Sequence, residues 1–150
     1  MVYVITAIVI IFDQVIKAII RSTMLVGDSI PLISGVIHLT HVKNPGAAFG
    51  ILPNHRVIFF IVSIAVVASL FIYYRRLKEA DTLTTLSVGL VMGGAVGNLI
   101  DRLSAGVVTD FIDFRFWPVF NIADSAIVVG VVLLGIILLR DTKHEQLEIE

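Results

Sequence analysis

Four aspartates fall within a short stretch of this chain: Asp101, Asp110, Asp113 and Asp124. Two carboxylates held face to face cannot both ionise, so one keeps a proton while the other loses it. Such a pair can activate water, with the ionised partner as general base and the protonated one polarising a scissile carbonyl. The stretch between Asp110 and Asp124 is long enough to fold back and juxtapose them. Spacing alone does not choose Asp110 over Asp101 or Asp113.

The neighbouring residues add polar groups. Asn98 and Asp101, three apart, share a helical face, and Arg102 can fork onto a carboxylate through two parallel hydrogen bonds. Asn121 is a good helix N-cap, and Asp124 stands three positions later like a capping-box acid. The helix dipole favours negative charge there. A purely structural reading therefore competes, with Asp124 as a cap and Arg102 neutralising Asp101 or Asp110. Asp13 and Lys17 are four apart, acid before base, the favoured helical pairing.

Other chemistries find little support. The chain has no cysteine, which removes disulfides, thiolate metal sites and thiol nucleophiles. There is no His-Glu-x-x-His zinc signature and no Gly-x-Ser-x-Gly elbow. His38 and His41 lie in an expected strand, where they would point to opposite faces. No metal and no cofactor are expected. A net charge of −1 gives no basic field for nucleic acid.

The elements that must position these groups are apolar runs. Of 150 residues, 57% are hydrophobic and 15% charged, and the mean hydropathy is +0.99. Soluble domains run near about a quarter charged, so lipid is the expected solvent. Runs at about 2–20, 57–74, 83–100 and 122–139 each approach the ~20 residues that cross a ~30 Å hydrocarbon core. Inside lipid each must satisfy its own backbone hydrogen bonds, which predicts four transmembrane helices. The first run lacks a basic start and a small-residue cleavage site, and is read as a retained span rather than a secretory signal. An ionisable group within it, Asp13, is costly in lipid and so a functional candidate by default.

The expected organisation is a single membrane-embedded domain, 1–150, all-α with a small extracytoplasmic β-rich segment after the first helix. The strand within that segment is expected at Val36–Val42, which is rich in β-branched residues. The charged tail 140–150 is expected to be mobile. Short basic Arg75-Arg76-Leu77-Lys78 favours a cytoplasmic middle loop, which puts both termini inside and both long polar segments outside. Gly89, Gly93 and Gly97 repeat every fourth residue, a spacing that lets helix backbones approach closely. Packing within a monomer is the expected use.

Five motifs, taken in order, resemble the bacterial lipoprotein signal peptidases (signal peptidase II). They are Phe12-Asp13-Gln14-Val15-Ile16-Lys17, Asn44-Pro45-Gly46-Ala47-Ala48-Phe49-Gly50, the run Gly93 to Arg102, Val107 to Asp113, and Phe120-Asn121-Ile122-Ala123-Asp124-Ser125. The one departure noted is Thr109, where many members have valine. The resemblance implies that Asp110 and Asp124 are a catalytic dyad. It also implies supporting roles for Asp13, Asn44, Asn98, Asp101, Arg102 and Asn121. The implied substrate is a diacylglyceryl-modified prolipoprotein, cut just before the lipidated cysteine. The implied location is the bacterial cytoplasmic (inner) membrane, with the site near the outer face, and the implied inhibitor is the cyclic peptide globomycin. Phe111, Phe114, Phe116 and Trp117 supply aromatics suited to anchoring at the interface, and the long segment containing Asn44 is placed to cover a substrate. A transporter would spread its acids along the membrane depth, whereas a purely structural partner would use them as caps and ion pairs.

Overall fold

The computed structural model describes residues 1–46, 56–76 and 81–147. The first outer motif's Ala47 to Gly50, the rest of the expected cover (51–55), residues 77–80 of the basic loop and the last residues of the tail, 148–150, lie outside the described residues. In chain order the elements are α1 (Val2–Thr23), β1 (Ser29–Ile33), β2 (Ile37–Asn44), α2 (Arg56–Arg76), α3 (Thr82–Ala105), β3 (Val108–Asp113) and α4 (Ile122–Leu147). The protein is mostly helical. Among the described residues, α1, α3 and the first nineteen residues of α4 are long and apolar enough to cross a membrane.

The polarity of the fold is inverted relative to a soluble protein. Large apolar side chains such as Ile8, Ile11, Val128 and Val132 face outward, while Asp13, Lys17, Ser87, Asn98 and Asp101 are buried. That arrangement suits a hydrocarbon solvent, in which buried polar groups must find partners inside the protein. Helix α3 lies at the centre, with α1, α2 and α4 all packed on it. Its glycines make that approach possible: Gly89 and Gly93 face Ile5 and Val9 of α1, and a Cβ on Gly94 would run into the carbonyl oxygen of Ala123 on α4. The small-residue stripe thus serves packing within one chain. Helix α4 stays helical to Leu147, beyond the expected end of the fourth run.

The β structure differs from expectation in one respect that matters for the site. It does not lie wholly after the first helix. β1, β2 and β3 form one antiparallel sheet in that order, and β3 comes from the segment after α3. Val42 pairs with Asp110 and Asn44 with Val108, with a bulge in β2 between Leu39 and Val42. Asp110 therefore stands on a strand, not on a loop. The chain beyond β3 turns through Arg115, a non-glycine residue at φ 66°, and returns so that Phe120 pairs with Ile112. Three backbone bonds fasten that return: Phe111 N–H and Ile112 N–H donate to Phe120 O at 3.0 and 2.8 Å, and Phe120 N–H donates to Ile112 O at 3.0 Å. It delivers Asn121, and with it the start of α4, to the side of Asp110.

Candidate active site

The start of α4 is capped from both sides. Asp124 N–H donates to Asn121 Oδ1 at 2.9 Å, and Asn121 N–H donates back to Asp124 Oδ2 at 3.2 Å. This is the reciprocal capping box read from the sequence. A further orphan donor of the first turn, Ala123 N–H, is accepted by Asp13 Oδ1 of α1 at 3.0 Å. The cap does not exhaust Asp124, whose other oxygen, Oδ1, accepts Asn98 Nδ2 at 2.7 Å.

Asp110 is 1% exposed and is held by two amides. Asn121 Nδ2 donates to its Oδ1 at 2.6 Å, and Asn44 Nδ2 to its Oδ2 at 2.8 Å. The same Asn121 amide also donates to Asn98 Oδ1 at 3.1 Å. Asn121 thus touches Asp110 through its side chain and Asp124 through both side chain and backbone. Burial and then the nearby Asp124 charge push Asp110 up to about 7, against the opposing pull of Asn44, Asn121 and Lys17. A carboxyl in that range can hold a proton at neutral pH.

The other acids are committed elsewhere. Asp101 accepts Lys17 at 3.2 Å, Arg21 at 3.4 Å and Thr109 N–H at 3.0 Å. It anchors the start of β3. Asp113 accepts Thr40 Oγ1 at 2.8 Å, Arg115 N–H at 2.8 Å and Arg115 Nη1 at 3.1 Å. Burial pushes Asp113 up, but those bonds outweigh it and hold the group below the usual carboxylate value. Among the described residues, no ion pair ends on Asp110 or Asp124. The choice that spacing left open is narrowed by geometry. Asp110 is the acid of its segment that faces Asp124's partners without a cation of its own.

Two residues depart from their anticipated contacts. Arg102 forks onto no carboxylate among the described residues; its Nη1 donates to Ser63 Oγ of α2 at 3.2 Å. It remains within electrostatic range of Asp124, Asp110 and Asp101. Phe111 is not an interfacial anchor but a core residue, packed with Ile20 and Met24. Phe116 and Trp117 are exposed. With Phe114, Phe120, Val128 and Val129 they line an apolar cavity of about 480 Å³ that opens onto Asp124.

The polar network extends past the residues singled out in the sequence. Lys17, 0% exposed, reaches Asp13 Oδ2 at 2.8 Å and Asn98 Oδ1 at 3.0 Å in addition to Asp101. Gln14 Nε2 lies 3.0 Å from Gly97 O and 3.2 Å from Asp101 Oδ1. Gln14, Arg21 and Ser63 were not selected as site residues. The available signal was polarity inside an apolar run, and Gln14 had it.

Residues 5–140 match the family described as signal peptidase (SPase) II. The lipoprotein signal peptidase of Halothermothrix orenii is 49% identical over 95% of this chain and 98% of its own. That of Pelotomaculum thermopropionicum is 44% identical over 93% and 92%. Two solved chains described as bacterial membrane enzymes superpose with TM-scores of 0.89 and 0.84. The first is 39% identical, covering 95% of this chain and 90% of its own; the second is 40% identical, covering 93% of each.

Proposed function

The chain belongs to the signal peptidase II family, and on that footing we propose that it is an aspartyl endopeptidase whose dyad is Asp110 and Asp124. Its substrate is a prolipoprotein already carrying a diacylglyceryl group, and the bond cut lies just before the lipidated cysteine. The observation that carries this reading is the bridging of both carboxylates by Asn121, with no cation paired to either among the described residues.

The two carboxyls have different environments and hence different roles. Asp124 accepts a backbone N–H at the start of α4, where the dipole favours the anion. Asp110, buried on a strand and raised to about 7, keeps the proton. Asp124 removes a proton from a water, whose oxygen attacks the scissile carbonyl carbon while Asp110 donates to the carbonyl oxygen. Collapse of the tetrahedral species breaks the C–N bond: Asp124 gives its proton to the departing amine, and the former carbonyl oxygen returns its proton to Asp110 as the C=O re-forms, which restores the starting pair. Asn44, Asn98 and Asn121 hold the carboxyls, Asp13 and Asp101 hold the elements that carry them, and Arg102 adds positive field.

The lipid part of the substrate fits the surroundings. The apolar cavity beside Asp124 suits an alkyl chain, so the peptide bond is offered to water at the membrane boundary while the acyl groups stay in hydrocarbon. In this reading α2 is a fourth span, the termini are cytoplasmic, the sheet lies on the outer face of the bacterial inner membrane, and the enzyme works as a monomer. Purified protein incubated with a diacylated prolipoprotein tests it. A new N-terminus at the lipidated cysteine, suppressed by globomycin, is expected; an intact substrate, or cleavage elsewhere, contradicts it.

A further inference from the structure

The asparagines of the site could face the carboxylates with either end of their amides, and only the donor end is useful there. At each, another group decides. Asn44 Oδ1 accepts Gly46 N–H at 2.8 Å, and Asn121 Oδ1 accepts Asp124 N–H at 2.9 Å. Both are backbone donors and cannot accept, so Nδ2 of each must turn toward a carboxylate. At Asn98 two donors converge on Oδ1, Asn121 Nδ2 at 3.1 Å and the charged Lys17 Nζ at 3.0 Å.

An ammonium has three donors and no acceptor. Lys17 Nζ has three oxygen partners, Asp13 Oδ2, Asp101 Oδ2 and Asn98 Oδ1. Flipping Asn98 would set its NH₂ against the ammonium, donor to donor, and withdraw the bond to Asp124. We propose that Lys17 is a positioning residue of the site, fixing the Asn98 amide so that its Nδ2 faces Asp124 and its Oδ1 receives Asn121. The proposal rests on the dyad assigned above. It links the buried α1–α3 polar core to the reacting carboxylates through one side chain.

The charged groups around Lys17 define how this can be tested. From α1 come Asp13 and, through Asp101, Arg21; from α3 Asp101; from β3 Asp110 and from α4 Asp124, both within its electrostatic range. Removing Lys17 alone would leave Asp13 and Asp101 buried with too little positive charge, and the protein could fail to fold for that reason only. The pair of variants D13N/K17M and D13N/K17Q removes one acid with the base. Glutamine keeps a neutral donor for Asn98 Oδ1, whereas methionine does not, so their comparison separates orientation from charge.

The experiment measures kcat and KM against pH for wild type, D13N, D13N/K17M and D13N/K17Q on a diacylated prolipoprotein, normalised to the folded fraction from thermal unfolding. D13N/K17M is expected to lose ~100-fold in kcat relative to D13N, the scale of a misplaced reacting group, with KM unchanged. Its acidic limb is expected to move to higher pH, because the nearby cation favours ionised carboxyls. D13N/K17Q should recover about tenfold of the kcat while keeping the shifted limb. A kcat for D13N/K17M equal to that of D13N, a loss accounted for by folded fraction, or a glutamine variant no better than methionine overturns the proposal. A wild type that does not cleave at all overturns the underlying dyad reading instead.

Discussion

Asp13 Oδ2 lies where a side chain on Gly97 would have to go: a Cβ there would come within 2.8 Å of it. That oxygen cannot readily move aside, because it is also the 2.8 Å partner of Lys17 Nζ in a fully buried pair. A backbone position on α3 thereby sets the placement of an acid on α1, which in turn holds the first turn of α4 through Ala123 N–H.

Gly97→Ala is therefore expected to destabilise the protein by about 1–3 kcal/mol, the usual range for overpacking. Thermal unfolding in detergent or lipid checks this. Ala at Gly135, where a Cβ would meet nothing within 4 Å, is the control and should leave the midpoint close to wild type.

Asp101→Asn removes a buried partner of Lys17 and weakens the acceptor that holds Thr109 N–H. Asp13 still pairs with Lys17, so the loss should fall near the low end for a broken buried pair, roughly 3 kcal/mol. Hydrogen exchange should rise first at Thr109 and along β3. Unchanged protection there would show that Asp101 does not anchor the strand.

Asp110 gives a pH dependence of definite sign. Its carboxyl is raised to about 7 from an ordinary value of 3.8, so the folded state binds the proton more tightly than the unfolded state. The contribution to stability is full below the unfolded value and is lost as pH climbs through the folded one. Asp110→Asn does not titrate. Its stability relative to wild type should therefore improve from pH 4 to about pH 7 and level off above that, as read by unfolding at each pH. A difference that is flat, or that runs the other way, contradicts the shift.

Filling the apolar cavity separates lipid recognition from chemistry. Val129→Trp places an indole in the space beside Phe114 and Phe120. The expected result is a KM for the diacylated substrate raised ~10-fold or more with kcat little changed. A fall in kcat at constant KM would mean that the cavity serves the reacting groups and not the alkyl chain.

The helices were legible because lipid leaves the backbone few options: α1 and α3 begin within a residue or so of the expected runs. β2 was legible too, since its β-branched residues mark a strand. β3 was not. Val108–Asp113 is a six-residue strand whose identity depends on pairing with Asn44 and Val42 across a bulge, a long-range contact that local propensity does not encode. The same holds for the proposed dyad. Asp101, Asp110 and Asp113 are alike as local sequence, and only the fold gives Asp101 to Lys17, Asp113 to Arg115, and leaves Asp110 to the amides of Asn44 and Asn121. Lys17 was visible as a partner of Asp13. Its reach to Asn98 depends on the α1–α3 crossing.

The most direct measurement replaces each carboxyl of the dyad by its isosteric amide. Asp110→Asn and Asp124→Asn, purified alongside wild type, are given a diacylated prolipoprotein, and the new N-terminus is followed by mass spectrometry while unfolding confirms the fold. Both variants should remain folded and lose on the order of 10⁴-fold in kcat, with wild type cutting at the lipidated cysteine. Either variant turning over at the wild-type rate, or losing activity only in step with its folded fraction, would contradict the account.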